Sequence, residues 1–177
     1  MNKILAFSGS SSSKSINQNV VKVAAVVCAT PATVIDIRDY PMPFYSTDLQ
    51  DSDGFPENAQ KIQTHFTEHQ GFIISCPEYN GSMPAIFKNM IDWLSRMERK
   101  VFQDKPVALF STSPGGNGGA TNLENLAKLM PWWGAKVVGT LSIGNFFDVY
   151  DAENNTFSDA KVMEDVTNLV KALEEAL

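Results

Sequence analysis

Apolar residues in this 177-residue chain follow two rhythms. Short apolar runs lie at Lys3–Ser8, Thr33–Ile37, Phe72–Ile74, Lys105–Ser111 and within Gly134–Ile143. Continuous, β-branched runs bounded by turn residues read as buried strands. Between them the apolar positions recur at three and four. Val20, Val21, Val23, Ala24 and Val27 form one such set, and Ile86, Phe87, Met90, Ile91 and Leu94 another. Leu123, Leu126, Leu129 and Met130 repeat the spacing, as do Val162, Val166, Leu169, Val170 and Leu173 in a final helix opened by Asp159. Each set is one face of a helix. A further helix is expected from about Glu57 to His69, after a long irregular connection from Pro41 and Pro43 through Ser46 to Pro56. Strands alternating with helices predict a doubly wound, five-stranded parallel α/β sheet with right-handed crossovers. The length suits one domain over residues 1–177, with no internal repeat and no linker.

Three connections are richer than links of two to six residues need to be. After the third strand comes Pro77, Glu78, Tyr79, Asn80, Gly81 and Ser82, and Pro84 then opens a helix in its first turn. Glycine lets a backbone approach a flat ligand, and Tyr79 offers a ring face or a hydroxyl. The same residues also suit a capped turn at a helix entry. After the first strand, Gly9 leads through Ser10, Ser12, Lys14 and Ser15 to Asn17 and a helix. Hydroxyls beside a helix N-terminus suit an anion, and they equally suit an N-cap on a flexible serine linker. The loop has neither the glycine spacing of a dinucleotide fold nor that of a P-loop. After the fourth strand, Ser113, Pro114, Gly115 and Gly116 begin a glycine-rich turn that fits a ligand contact or a mobile tip.

The central run Pro77-Glu78-Tyr79-Asn80-Gly81-Ser82, continued by Pro84, Lys88-Asn89 and Asp92-Trp93, resembles the signature of the NAD(P)H-dependent FMN reductases. These are flavodoxin-like flavoproteins that include quinone, chromate and azo-dye reductases. The first loop resembles that family's phosphate motif at Gly9, Ser10, Ser15 and Asn17, with Ser12 in place of its arginine and Lys14 as the nearby cation. Ser113, Pro114, Gly115 and Gly116 fit approximately the family's loop beside the flavin. The resemblance implies strand order 2-1-3-4-5, which brings the three loops to one edge of the sheet, where flavodoxin holds FMN. It further implies FMN as cofactor, NADPH or NADH as donor, a small-molecule acceptor such as a quinone or flavin, and a homodimer or homotetramer. FMN would carry the chemistry, so no side chain is expected as a catalytic acid or base. The other readings are an electron carrier or flavin-binding module without NAD(P)H turnover, and a scaffold that has lost its cofactor.

Composition narrows the partners. Hydrophobic residues make up 44% and charged residues 19%, which marks a folded protein. A net charge of −6 speaks against nucleic acid and anionic membranes. No apolar run reaches the roughly 18 residues a membrane span needs, and Met1 leads straight into a strand, so a cytoplasmic protein is expected. Two cysteines, Cys28 and Cys76, are too few for a disulfide scaffold, and both are expected in the core. His65 and His69 stand four apart without a third ligand, so a solvated helix face is expected and no metal. Adjacent Trp132 and Trp133 cannot both face a core, and they offer a subunit contact or a partly exposed loop.

Overall fold

The structure, a computed structural model, describes residues 2–177. Five parallel strands form one sheet: β1 (Ile4–Ser8), β2 (Ala32–Asp36), β3 (Gly71–Ser75), β4 (Lys105–Thr112) and β5 (Ala135–Ile143). Their order is β2-β1-β3-β4-β5, the doubly wound order expected. Successive side chains of a strand point to opposite faces. Leu5, Phe7, Phe72, Ile74, Val107 and Leu109 therefore enter one core, while Ile4, Ala6, Ile73, Ala108 and Phe110 enter the other. Both faces are covered, which explains why the strand segments read as unbroken apolar runs.

Helices α3 (Glu57–Glu68), α4 (Ala85–Met97) and α5 (Ala120–Leu129) close the first face. Phe66, Phe72 and Phe102 pack there with ring centroids 4.9–5.3 Å apart, a spacing that adds to plain area burial. Helices α1 (Ile16–Val27) and α7 (Ala160–Glu175) close the second face, through Val20, Val21, Val166 and Leu173 among others. The Asp159 side chain caps α7 by accepting from the Val162 N–H.

Some expectations are corrected. The stretch after Ser46 is not wholly irregular, because Thr47–Asp53 forms helix α2, capped by the Ser46 hydroxyl. None of its residues is buried, so it carries no apolar stripe to read. The segment after β5 holds helix α6 (Phe146–Val149) and a small antiparallel hairpin, β6 (Tyr150–Asp151) with β7 (Thr156–Phe157). Phe146 stacks on Tyr150 at 4.6 Å to hold it. His69 is not on a solvated face. It lies just past α3, buried, with its ring Nδ1 2.7 Å from the His65 carbonyl. That carbonyl needs a donor, so Nδ1 carries the proton, and burial holds His69 below the usual imidazole value. Cys28 is only half-buried: it caps the end of α1 and packs against the margin of the second core. Trp132 is exposed, whereas Trp133 is partly buried against the core.

The polar residues in α4 have a structural use. Asn89 and Trp93 lie on its buried face. The Asn89 amide donates to the Pro43 carbonyl at 3.0 Å and its oxygen accepts from the Tyr45 N–H at 2.9 Å. The Trp93 indole donates to the same Pro43 carbonyl at 2.8 Å, and its ring meets Tyr45 edge-on. Together they strap the chain after β2 onto α4. Asn89→Ala leaves the Tyr45 N–H without its acceptor. It should cost ~1–3 kcal/mol of stability by denaturant titration and speed hydrogen exchange at Tyr45. An unchanged midpoint with unchanged exchange would show that the strap is idle.

Candidate functional site

The site starts from the first turn of α1. Ser15 is its N-cap, and its hydroxyl accepts from the Gln18 N–H. The N–H groups of the residues just inside a helix have no intrahelical acceptor, so those of Ile16 and Asn17 call for an acceptor from outside the helix. Upstream, the Ser10 hydroxyl accepts from the Ser12 N–H at 3.1 Å, and the Ser12 hydroxyl accepts from the Lys14 N–H at 3.2 Å. These serial turns curl the loop and leave both hydroxyl hydrogens free to donate. Lys14 is exposed and, among the described residues, makes no ion pair. The loop thus presents oriented donors and one mobile cation.

Asn17 behaves differently from the other residues of the loop. It is buried, and its oxygen accepts from the Ser75 hydroxyl at 2.7 Å and the Thr112 N–H at 3.1 Å. Its amide donates to the Thr112 carbonyl at 3.0 Å. The side chain therefore ties α1 to the ends of β3 and β4, and most of its bonding capacity is already spent.

The central loop is a tight hairpin. The N–H of Tyr79 donates to the Ser82 carbonyl at 2.8 Å, and the N–H of Ser82 returns the bond at 3.1 Å. Between them Asn80 and Gly81 both have positive φ, 54° and 75°, the requirement of a type I′ turn and the reason for the Asn-Gly pair. The turn holds Tyr79 as an exposed residue, 45% accessible.

The third loop is fixed at both ends. The Asn145 N–H donates to the Gly115 carbonyl and the Phe146 N–H to the Ser113 carbonyl. Gly119, at φ 75°, lies so close to Ser111 that a Cβ there would collide with the hydroxyl. Close packing, not mobility, explains this glycine. Gly115 faces open space.

The three loops enclose one cleft of about 290 Å³ at the carboxyl edge of the sheet. Ser10, Ser12, Lys14, Ser15 and Asn17 line it from the first loop, Pro77, Glu78 and Tyr79 from the second, and Ser113 and Pro114 from the third. Asn80, Gly81, Gly115 and Gly116 are not in its lining; they shape the turns that support it. Sequence reasoning missed Thr112 and Phe147, which also line the cleft. It missed Asn122 as well, for which a helix-disfavoured asparagine in the first turn of α5 was the available signal. The Asn122 N–H donates to a Glu78 carboxylate oxygen at 3.0 Å, and its side-chain amide donates to the Pro77 carbonyl at 2.9 Å. This two-bond clasp, with Asn122 the donor in both, locks the second loop onto α5, with Glu78 at the positive end of the helix. Cys76 lies beneath it, fully buried. Burial pushes its thiol up to about 12, against a small opposing effect of the Asn122 amide, so it is neutral and unreactive.

Comparison with known proteins follows the geometry. Residues 2–175 match the family described as NADPH-dependent FMN reductase. A quinone reductase of Escherichia coli K12 is 35% identical over 97 residues, 55% of this chain and 52% of that protein. The alignment thus spans only about half of that relative. An NAD(P)H-dependent FMN reductase of Pseudomonas aeruginosa is 27% identical across 97% of this chain and 93% of its own. Among solved structures, the flavoenzyme NAD(P)H:(acceptor) oxidoreductase FerB of Paracoccus denitrificans superposes with a TM-score of 0.85. The superposition covers 99% of this chain and 97% of that one, at 23% identity, and speaks for the fold.

The clasp is testable. Asn122→Ala leaves the buried Pro77 carbonyl without its donor and should cost ~1–3 kcal/mol, read from the denaturant midpoint. In the parent protein, iodoacetamide at pH 8 should label Cys76 only after denaturant is added. Rapid labelling of the native thiol would contradict the packing described.

Proposed function

The chain belongs to the NADPH-dependent FMN reductase family, and from that premise we propose an FMN-containing oxidoreductase that passes hydride from NAD(P)H to a quinone, flavin or similar small acceptor. The observation that carries this reading is the convergence of three built loops on one cleft at the ends of β1, β3 and β4. The electron-carrier alternative is not favoured, because the relatives carry reductase names.

The residues present fit FMN. The flavin, when bound, supplies the hydride chemistry, and the protein supplies binding and orientation. In this reading the hydroxyls of Ser10, Ser12 and Ser15 and the first N–H groups of α1 hold the phosphate, with Lys14 as the added charge. Pro77, Glu78 and Tyr79 border the ring on one side, and Ser113 and Pro114 on the other. Asn17 acts by position: it holds the loops at their spacing and does not need to touch the phosphate. Glu78 is engaged with the α5 N-terminus, which suits an orienting role and not proton transfer. Donor and acceptor would use the same open side of the cleft in turn. Exposed Phe44 and Trp132 (79% and 83%) support a homo-oligomer, since exposed apolar patches mark contacts. Among the described residues, no helix is long and apolar enough to cross a membrane.

The test uses purified protein supplied with FMN. It should retain a flavin spectrum, bleach on anaerobic NADPH and oxidise NAD(P)H with a quinone along parallel double-reciprocal lines, the ping-pong pattern. Light scattering should give at least a dimeric mass. Failure to retain flavin, or intersecting lines, would overturn the reading.

A second prediction isolates the phosphate. A charge-assisted bond is worth roughly 1.5–3 kcal/mol, less where water screens it. Lys14→Ala should therefore weaken FMN by about tenfold in a fluorescence-quenching titration and leave riboflavin, which has no phosphate, within about twofold. Equal weakening of both would place Lys14 at the ring and not at the phosphate.

A further inference from the structure

A second and larger cavity, of about 970 Å³, lies on the other side of the first loop. It runs between the first turns of α1, the end of β2 and the segment from Phe146 to Ala152. Ser12, Lys14, Ser15, Ile16 and Phe147 line both this cavity and the cleft. The two spaces therefore share the first loop as a common wall. The volume is in the range of about 300–1,000 Å³ typical of pockets for organic ligands.

The lining has three chemistries in separate places. Val34, Tyr40, Phe147 and Tyr150 supply apolar and aromatic surface. Phe147 is 69% exposed and Val34, on the edge strand, is 39% exposed, so neither is covered by the fold. Lys14 and Lys22 supply cations without an ion-pair partner among the described residues. Asp36 supplies a carboxylate at the end of β2, held by the Arg38 guanidinium through bonds of 3.0 Å. Burial raises the Asp36 carboxyl, but the bonds and charge of Arg38, helped by Lys22, outweigh it and keep the group ionised. In the dinucleotide-binding fold an acidic residue beyond the glycine loop accepts from ribose hydroxyls. Asp36 ends β2 here in the flavodoxin-like strand order and without that glycine spacing, so the likeness is one of position alone.

We propose that this cavity binds the 5′-AMP group of a dinucleotide. Adenine lies against the apolar and aromatic surface, the ribose hydroxyls donate to Asp36, and the phosphate faces Lys22 and Lys14. The orientation rests on the reading of the first loop as a phosphate cradle. The same group occurs in FAD and in NADH, whereas NADPH carries a 2′-phosphate on that ribose, which ionised Asp36 would repel. In FAD it would continue from the flavin phosphate across the shared wall, and in NADH it would be the end of the donor remote from the nicotinamide.

The direct test is 5′-AMP itself, titrated into the purified protein by calorimetry or ligand-observed NMR. It should bind at millimolar concentration or below. Lys22→Glu, which reverses the charge, and Val34→Trp, which fills the apolar wall, should each abolish that binding in variants whose circular dichroism is unchanged. No 5′-AMP binding by the parent protein, or binding that survives both variants, overturns the proposal. Two further titrations name the source. If the group belongs to the flavin, FAD binds about tenfold tighter than FMN, and Lys22→Glu removes that gap while sparing FMN. If it belongs to the donor, FAD and FMN bind equally. Lys22→Glu then raises the KM for NADH about tenfold and spares reduced nicotinamide mononucleotide, which lacks the AMP group. FMN binding without 5′-AMP binding defeats this inference alone, and 5′-AMP binding without FMN binding defeats the flavin reading alone.

Discussion

The candidate site depends on what Asn17 does between three strands. Its oxygen takes donors from Ser75 and Thr112, and its amide returns a bond to the Thr112 carbonyl. Ser75 ends β3, Thr112 ends β4, and Asn17 stands in the first turn of the helix that follows β1. Each of the three loops therefore leaves the sheet beside this side chain. A buried amide satisfied on both ends is rigid, because breaking any bond strands a polar group away from water. The spacing of the loops is set there, below the cleft, before any residue at the surface is considered.

The same division recurs outward. Residues with the strongest sequence signals are often supports and not contacts. Asn80 and Gly81 make a type I′ turn whose product is the position of Tyr79. Asn89 and Trp93 strap the Pro43–Tyr45 segment onto α4. Glu78 and Asn122 clasp the second loop to α5. On the proposed reading the cleft holds a flat ring and needs such supports, because a loop that shifts by an ångström loses the alignment.

The sheet was legible because both of its faces are buried. Such strands advertise themselves as continuous apolar runs, and the crossover helices carry stripes at three and four. Helix α2 was hidden because none of its residues is buried and it has no stripe. The loops were legible as chemistry but not as geometry. Nothing local to Asn17 says that its partners are 58 and 95 residues away. Nor does a run of glycines reveal which member is sterically required: Gly119 packs on Ser111, whereas Gly115 faces open space. His69 was misplaced for the same reason, since its burial depends on packing just past the end of a helix and not on spacing.

Charge in the first loop follows from a competition at a single position. The protein carries a net −6, so a dianion must find its donors locally. Where the family resemblance leads one to expect arginine, Ser12 stands, and its hydroxyl accepts from the Lys14 N–H. A guanidinium has no acceptor and cannot make that turn. The turn and a fixed charge therefore exclude each other at position 12, and the charge sits two residues on, at exposed Lys14. Exposed charge is screened within about a Debye length and rides on a flexible stem. It can draw an anion in, but it fixes no angle. The hydroxyls and helix N–H groups do fix one, because hydrogen bonds weaken steeply when misaligned. In this loop attraction and orientation are thus carried by different groups.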